Sequence, residues 1–291
     1  AVTFDGCSAG RTVNAKASNL IQDVLAQAGF SGIINATSFN NVAASAILEN
    51  GVYITTQTSI SNVIDMLCAG ERIYWYFDAN GEMVLGQFND PIYVDSGSIE
   101  YNILIDEGGN TLTDESSNVL VESVNSATIA INVSSVVEDF KFMPTNDTKG
   151  GIPAHLITMK YAKNQTLNSD VAGSVGAFRR AWLKEEWRTG QANNDLVLTK
   201  HPMSEELVIE TALTKTPSNE AITRLSLYGV ERDLITFKTP IDNYATANDI
   251  YLGMVFGLTI NGRYGLTNKK MLLIGYVVNH VSEDVTVTLW G

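Results

Sequence analysis

The sequence predicts a multi-domain α+β protein, built from helix-plus-β-hairpin units and ending in a β-rich region. Three observations carry this. Apolar stripes at helical spacing are each closed by a glycine. One of them runs directly into an Asn-Gly hairpin. From Val230 to Gly291 the chain reads as successive short β-segments, ending Asp284-Val285-Thr286-Val287-Thr288-Leu289-Trp290-Gly291.

Residues 18–29 form the first expected helix, with Ser18 as N-cap, Leu20, Ile21, Val24, Leu25 and Ala28 as one apolar stripe, and Gly29 as the stop. A second lies at 59–70, where Ile60, Val63, Ile64, Leu67 and Cys68 repeat the spacing before Gly70. Arg72-Ile73-Tyr74-Trp75-Tyr76-Phe77 then runs as a strand, Asp78-Ala79-Asn80-Gly81 turns, and Met83 to Phe88 returns. Residues 92–152 are rich in Ser, Thr, Asn, Asp and Gly. Short β-like runs occur at Ile99–Ile105 and Thr128–Val133, with turns at Gly108-Gly109-Asn110 and Asp114–Asn118. Gly150-Gly151-Ile152-Pro153 reads as a boundary.

Beyond it, His155–Tyr161 reads as a strand. Ser169 opens a long helix carrying Val171, Val175, Phe178 and Trp182 on one face and Arg179, Arg180, Lys184, Glu185, Glu186 and Arg188 on the other. Thr216-Pro217 opens another, with Pro at the first helical position, a stripe of Ala221, Ile222, Leu225 and Tyr228, and Gly229 as the stop. Strands follow near 232–239, 250–260, 271–279 and 284–290, the middle pair separated by a turn-rich stretch from Asn261 to Lys270. The expected domains are 1–91, an α/β unit with the aromatic hairpin; 92–153, a loop-rich β insertion; and 154–291, an α+β unit. No short-period repeat suggests a solenoid.

The 291 residues suffice for two domains or one large one, and 45% hydrophobic with 18% charged residues is ordinary globular composition. No apolar run is long enough for a membrane anchor. The chain begins at Ala1-Val2-Thr3-Phe4 with no basic-then-apolar leader and no initiator Met, which points to a processed product or the back portion of a longer polypeptide. The formal net charge is −13, from 19 Lys+Arg against 32 Asp+Glu. Nucleic-acid affinity comes from cations that displace counterions, so gripping DNA is disfavoured. An acidic surface past which DNA slides without sticking is compatible, as is plain solubility. Cys7 and Cys68 are too few for a disulfide framework, and Cys68 falls on an apolar helix face, as a buried free thiol would.

No residues assemble into recognisable chemistry. Asp78–Glu82 lacks the remaining ligand positions of a calcium loop and sits between strands. His155, His201 and His280 have no metal-ligand spacing, so neither a metal nor a cofactor is expected. There is no nucleophile elbow and no phosphate-cradling loop. A carboxylate pair for glycoside hydrolysis needs no fixed spacing, but adjacent Glu185 and Glu186 point apart on a helix. In the hairpin strand, Tyr74 and Tyr76 share one face and Trp75 takes the other, which suits core packing plus an interface as well as it suits a sugar platform. The mixed-sign cluster from Arg179 to Arg188 reads as a solvated or interface face. Tyr74, Trp75, Tyr76, Arg179, Arg180, Trp187 and Arg188 are thus the candidate interface residues.

In three stretches, taken in order, the chain resembles tail-hub and tail-tip (baseplate) proteins of tailed bacteriophages. The first joins Gly51-Val52-Tyr53-Ile54 and Ser59–Gly70 to Tyr74–Gly86. The second runs from Met159-Lys160-Tyr161 through the basic helix to Glu186-Trp187-Arg188. The third runs from Leu225–Arg232 through Arg263-Tyr264-Gly265-Leu266 to Thr288-Leu289-Trp290-Gly291. The region near 92–152 matches least. The resemblance implies a structural, non-enzymatic virion component at the distal end of the tail, assembled in the host bacterial cytoplasm. It implies a trimeric ring that joins tube, tape-measure protein and fibres and surrounds the DNA exit path. Two other classes stay open: a carbohydrate-binding virion protein using Trp75 or its neighbours, and a cell-wall hydrolase. An acidic inner face, a mixed-charge face between subunits and a Trp290 anchored against neighbouring strands are further expectations.

Overall fold

The computed structural model describes residues 16–30, 32–52, 54, 57–91, 100–103, 121–124, 129–132, 138–144, 151–165, 167, 170, 173–240, 251–260 and 266–291. Cys7, the turns at 108–110 and 114–118, Ser169, Val171 and Arg263–Gly265 lie outside these residues. The fold is α+β with a β-rich final region. It forms two compact units, each made of two separate stretches: residues 1–88 with 145–232, and residues 89–144 with 233–291. The expected division at 91/92 and 153/154 follows chain order, whereas these units interleave.

The first unit opens with three helices, α1 (Ala17–Gln27), α2 (Ala36–Ser45) and α3 (Ile60–Cys68). The hairpin of β1 (Ile73–Phe77) and β2 (Met83–Gln87) follows. Ser59 caps α3 by accepting from the Asn62 N–H at 3.2 Å. Ala17, Ile21, Phe39, Leu67 and Met83 lie within the core that these elements share. The Asp78–Glu82 turn is held by its own first residue: Asp78 Oδ1 accepts from the N–H groups of Asn80 and Glu82, both at 2.9 Å. Gly81 supplies the left-handed conformation, φ +78°.

Its second stretch builds a three-stranded sheet in the order β8 (Arg188–Asn193), β7 (Leu156–Tyr161), β9 (Glu206–Glu210). β8 is antiparallel to β7, and β9 is parallel to it. Helix α4 (Ala177–Lys184) connects β7 to β8, α5 (Asp195–Lys200) follows β8, and α6 (Ser218–Tyr228) packs on the face carrying Ile157 and Met159. The two stretches are stitched together by main-chain bonds from Gly51 N–H to Ala212 O (2.7 Å) and from Thr214 N–H to Glu49 O (2.9 Å).

The second unit contains the pair β3 (Glu100–Ile103) and β4 (Val121–Val124) and a six-stranded sheet. The sheet order is β5 (Ile129–Asn132), β11 (Val255–Ile260), β12 (Leu266–Asn279), β13 (Asp284–Trp290), β10 (Asp233–Pro240), β6 (Glu138–Pro144). β12 is long enough to pair with β11 along its first half and β13 along its second. Ile235, Phe237, Phe256, Leu273, Val285, Val287 and Leu289 alternate along their strands and fill one face. Trp290 is 1% exposed and lies between Leu234 and Leu272 of the flanking strands, anchored as expected.

Several expectations need correction. Lys16, not Ser18, occupies the N-cap of α1; the helix begins two residues sooner, and Ala17 and Ser18 belong to its buried face. The long helix expected from Ser169 is the eight-residue α4, preceded by Gly173 and Gly176, with Gly176 at its N-cap. None of its residues is buried, so Phe178 and Trp182 do not form a core stripe. In α6, Pro217 sits at the N-cap and Ile222 is exposed, while Arg224 and Leu227 take buried positions. Residues 266–270, expected within a turn, extend β12 because β11 offers partners as far as Ile260. β11 begins only at Val255, after a turn in which Gly253 has φ +89°. Helices α2 and α5 and strands β8 and β9 were not expected; each is short.

Candidate interaction surface

The hairpin presents two aromatic faces. Tyr74 and Tyr76 stack with centroids 6.4 Å apart, and Trp75 meets Phe77 edge-on at 6.0 Å. Trp75 is half-buried against the apolar core, and its Nε1–H donates to Asp65 Oδ1 of α3 at 2.8 Å. Opposite Tyr74 in the ladder stands Gly86, and the phenol lies across it; a Cβ there would come within 2.2 Å of the ring. Gly86 thus gives the Tyr74 ring the space it occupies.

The second group of candidates gathers around α4. Arg179 is exposed and Arg180 half-buried. Arg188 is buried and turns back on the helix. Its guanidinium stacks 3.8 Å from the Trp182 ring, donates to Glu185 O at 2.8 Å and also donates to Trp182 O. It therefore serves carbonyls that the last turn of a helix leaves without partners. Trp187 is half-buried with the Lys163 ammonium 4.9 Å from its ring centroid, and Lys163 also lies 3.6 Å from Glu186. Asn164 completes the support, donating from its main-chain N–H to Glu186 O at 2.7 Å and from Nδ2 to Leu183 O at 3.0 Å. The cluster is thus a short helix fastened at its C-terminal end. Phe178 is 83% exposed and turned to solvent, whereas Trp182, 42% exposed, keeps one ring face under the Arg188 guanidinium.

Two buried charge arrangements lie in the first unit. Glu220 of α6 accepts from Arg72 Nε at 2.8 Å and Nη2 at 3.3 Å, and from Arg224 Nε at 3.0 Å. Arg72 also donates from Nη1 to Phe88 O at 2.9 Å and adopts φ +58°, a conformation that costs about 1–2 kcal/mol for a side chain of this kind. Burial pushes the Arg224 guanidinium down, while Glu220 opposes the shift. Glu71, next to Arg72, accepts from the Leu48 N–H at 2.9 Å through Oε1, and burial pushes its carboxyl above the usual range. The Cys68 thiol is free, buried and pushed up to about 12 by burial, hence inert.

Little here is suited to bond-making chemistry. His155 Nδ1 lies 3.2 Å from Ser204 Oγ, and that hydroxyl donates to Pro153 O at 2.6 Å. His155 therefore carries its proton on Nδ1, which makes the pair a structural link rather than an activated nucleophile. His201 contacts Glu231 at 3.3 Å. Among the described residues, no group of His, Cys, Asp or Glu side chains could hold a metal ion, and no helix is long and apolar enough to cross a membrane. An open cleft of about 450 Å³ lies beside α5, lined by His155, Leu156, Gln191, Asn193, Asp195 and Leu198.

No family model matches this sequence, and no curated protein does. Its fold is similar to that of a tail protein from Neisseria meningitidis MC58, at TM-score 0.50 and 11% identity, over 98% of this chain and 69% of that one. Similarity at TM-score 0.49 and 11% identity extends over the whole of this chain and 53% of a chain in the virion of a native gene transfer agent particle. A 43 kDa tail protein of prophage MuSo2 from Shewanella oneidensis is similar at TM-score 0.47 and 9% identity, over 95% of this chain and 66% of that one. This chain thus spans between about half and just over two thirds of those proteins. The likeness is one of fold, and the fold is that of the Neisseria tail protein.

Proposed function

We propose that this chain is a structural, non-enzymatic tail-hub or baseplate subunit of a phage-like virion, at the distal end of the tail. The observation that carries the reading is the likeness of fold to the Neisseria tail protein across 98% of the chain. It agrees with the order of the three resembling sequence stretches. Subunits would assemble as a trimeric ring around the DNA exit path. They would dock tube and tape-measure protein on one side and fibres on the other, after assembly in the bacterial cytoplasm. A formal net charge of −13 suits a conduit that does not retain DNA. The aromatic hairpin at Tyr74, Trp75 and Tyr76 and the α4 cluster at Arg179, Arg180 and Trp187, held from within by the buried Arg188, are the proposed interface elements. Closed symmetry demands two complementary faces from each subunit.

Cryo-electron microscopy of the particle that carries this chain tests the proposal. Density for the chain around the central axis at the tail end is the expected result. Density only at the periphery would instead favour a glycan-binding role, and absence from any particle would overturn the structural reading. A zymogram on bacterial peptidoglycan is expected to show no clearing.

A further inference from the structure

One face of the β8-β7-β9 sheet, with Ile157 and Met159, lies under α6. The other carries the cross-strand rows Asn193–Leu156–Glu206, Gln191–Thr158–Val208 and Thr189–Lys160–Glu210. This second face is polar, and Thr189, Gln191, Asn193, Glu206 and Glu210 are all exposed on it. The cleft of about 450 Å³ opens here: β7 and β8 contribute Leu156, Gln191 and Asn193, α5 contributes Asp195 and Leu198, and His155 closes the set.

The polar groups of that lining are biased toward acceptance. The Ser204 hydroxyl gives its proton to Pro153 O at 2.6 Å, so His155 donates to it through Nδ1 and keeps Nε2 as an acceptor. Gln191 spends an Nε2–H on Thr158 Oγ1 at 2.9 Å, and Asn193 spends an Nδ2–H on Asp195 Oδ1 at 3.3 Å, so both amides keep their carbonyl oxygens. The Asp195 carboxylate only accepts. The charge is biased in the same direction. Lys160 is the one cation in the three rows, and Glu210 holds it at 2.9 Å. Lys200 stands in the last turn of α5, away from Asp195 in its first. Among the described residues, Asp195 and Glu206 have no ion-pair partner.

A ligand that suits this cleft brings donors and positive charge on an apolar stem. Phosphate is refused, since it needs cations. A sugar asks for donors as much as acceptors and stacks on an aromatic ring, and no Phe, Tyr or Trp lines the cleft. A guanidinium offers five N–H groups in one plane and no acceptor. The methylenes of an arginine would lie along Leu156 and Leu198 while the head meets the polar groups. We propose that the cleft beside α5 is a binding site for an arginine side chain presented by a partner protein. Asp195 is its counter-ion, and His155 Nε2, Gln191 Oε1 and Asn193 Oδ1 are the further acceptors. The site goes beyond the hub reading and does not rest on it.

The probe is Nα-acetyl-arginine amide, titrated into the full chain in low-salt buffer and followed by nuclear magnetic resonance through the side-chain amide signals of Gln191 and Asn193. Saturable shifts of both are expected, with a Kd of about 1–10 mM, the strength of one side chain without the rest of its partner. The citrulline analogue has the same shape but a neutral urea, and it is expected to bind about tenfold more weakly, because charged hydrogen bonds are the stronger ones. Asp195→Asn keeps the acceptor for Asn193 and removes the charge, so about a tenfold loss of affinity with an unchanged melting temperature is expected. Gln191→Glu adds a carboxylate to the lining and should tighten binding, a gain that a misfolded variant could not give. The proposal is overturned by an arginine probe that gives no saturable shift, by equal affinity for the citrulline analogue, or by an Asp195→Asn variant that binds like wild type. Shifts confined to other residues place the arginine elsewhere and overturn it too. A zinc titration that moves these two signals when the arginine probe does not would assign the cleft to a metal ion instead.

Discussion

Arg72 and Glu220 stand 148 positions apart in sequence and meet in a two-pronged ion pair, Nε to Oε1 at 2.8 Å and Nη2 to Oε2 at 3.3 Å. Arg224 shares the same carboxylate. The removal of one partner from a buried ion pair strands the other without compensation. Glu220→Ala leaves two buried guanidinium groups facing each other, and it should cost about 3–5 kcal/mol. Urea unfolding at neutral pH checks this; a loss below about 1 kcal/mol, the range of an exposed pair, would show that solvent screens the cluster.

Glu71 should make the first unit more stable as pH falls toward the carboxylate range. Burial raises its folded-state pKa above the unfolded value, so the folded state holds the proton more tightly between the two values. Stability from this group is fully present below the unfolded pKa and is lost as pH rises through the folded one. Glu71→Gln keeps an acceptor for the Leu48 N–H and carries no charge to bury. It should flatten the pH dependence over that window and leave neutral-pH stability equal to or above wild type. Thermal melts of both proteins across mildly acid to neutral pH decide it, and identical slopes would refute it.

Arg188→Lys should loosen α4 although the charge is kept. Lysine is a point charge and cannot stack on Trp182 while donating to two carbonyls. The loss should be about 1.5–3 kcal/mol if the main-chain bonds are as strong as usual charged ones. Trp182 emission is expected to shift to the red as its ring loses its cover; unchanged emission would mean that α4 does not depend on Arg188.

Gly86→Ala should expel the Tyr74 ring from its place across the strand, since the new Cβ would lie 2.2 Å from the phenol. The ring is the mobile end of a side chain, so the stability cost should stay within about 1–3 kcal/mol, the range for overpacking. The stack with Tyr76 should break, which near-ultraviolet circular dichroism would register.

Trp290→Ala should remove about 3–5 kcal/mol from the second unit, the range for deleting a fully buried large aromatic. Gly291→Ala should also destabilise it, because a Cβ there would lie 2.7 Å from Lys270 O. An unchanged urea midpoint for Trp290→Ala would mean that the end of β13 frays in solution.

How far the sequence is readable depends on whether the signal is local. Helix α3 and its hairpin follow from Ser59, the stripe Ile60 to Cys68 and Asn80-Gly81, because capping, periodicity and turn chemistry act within a few residues. The alternation of Tyr74, Trp75 and Tyr76 over two faces is equally local. Helix α4 was drawn too long because Val171, Val175, Phe178 and Trp182 sit near helical spacing, while the interruption at Gly173 and Gly176 weighs against only a few bonds. Helix α2 offers only Phe39 and Val42 as buried anchors, so its pattern is faint. In α6 the stripe misled at Ile222, because Glu220 and Arg224 turn inward to meet Arg72. No short-range pattern announces a pair that closes across most of the unit, and Arg188 as a helix-end partner rather than a surface contact was hidden for a similar reason.

The interleaving of the two units has a consequence for how the chain is made. Residues 89–144 leave the ribosome after the first stretch of one unit and before its second, and they must wait in turn for 233–291. Neither unit can be finished while the other is unstarted, so folding is tied to late synthesis and not to the order of emergence. A stop anywhere between 145 and 232 therefore leaves both units incomplete.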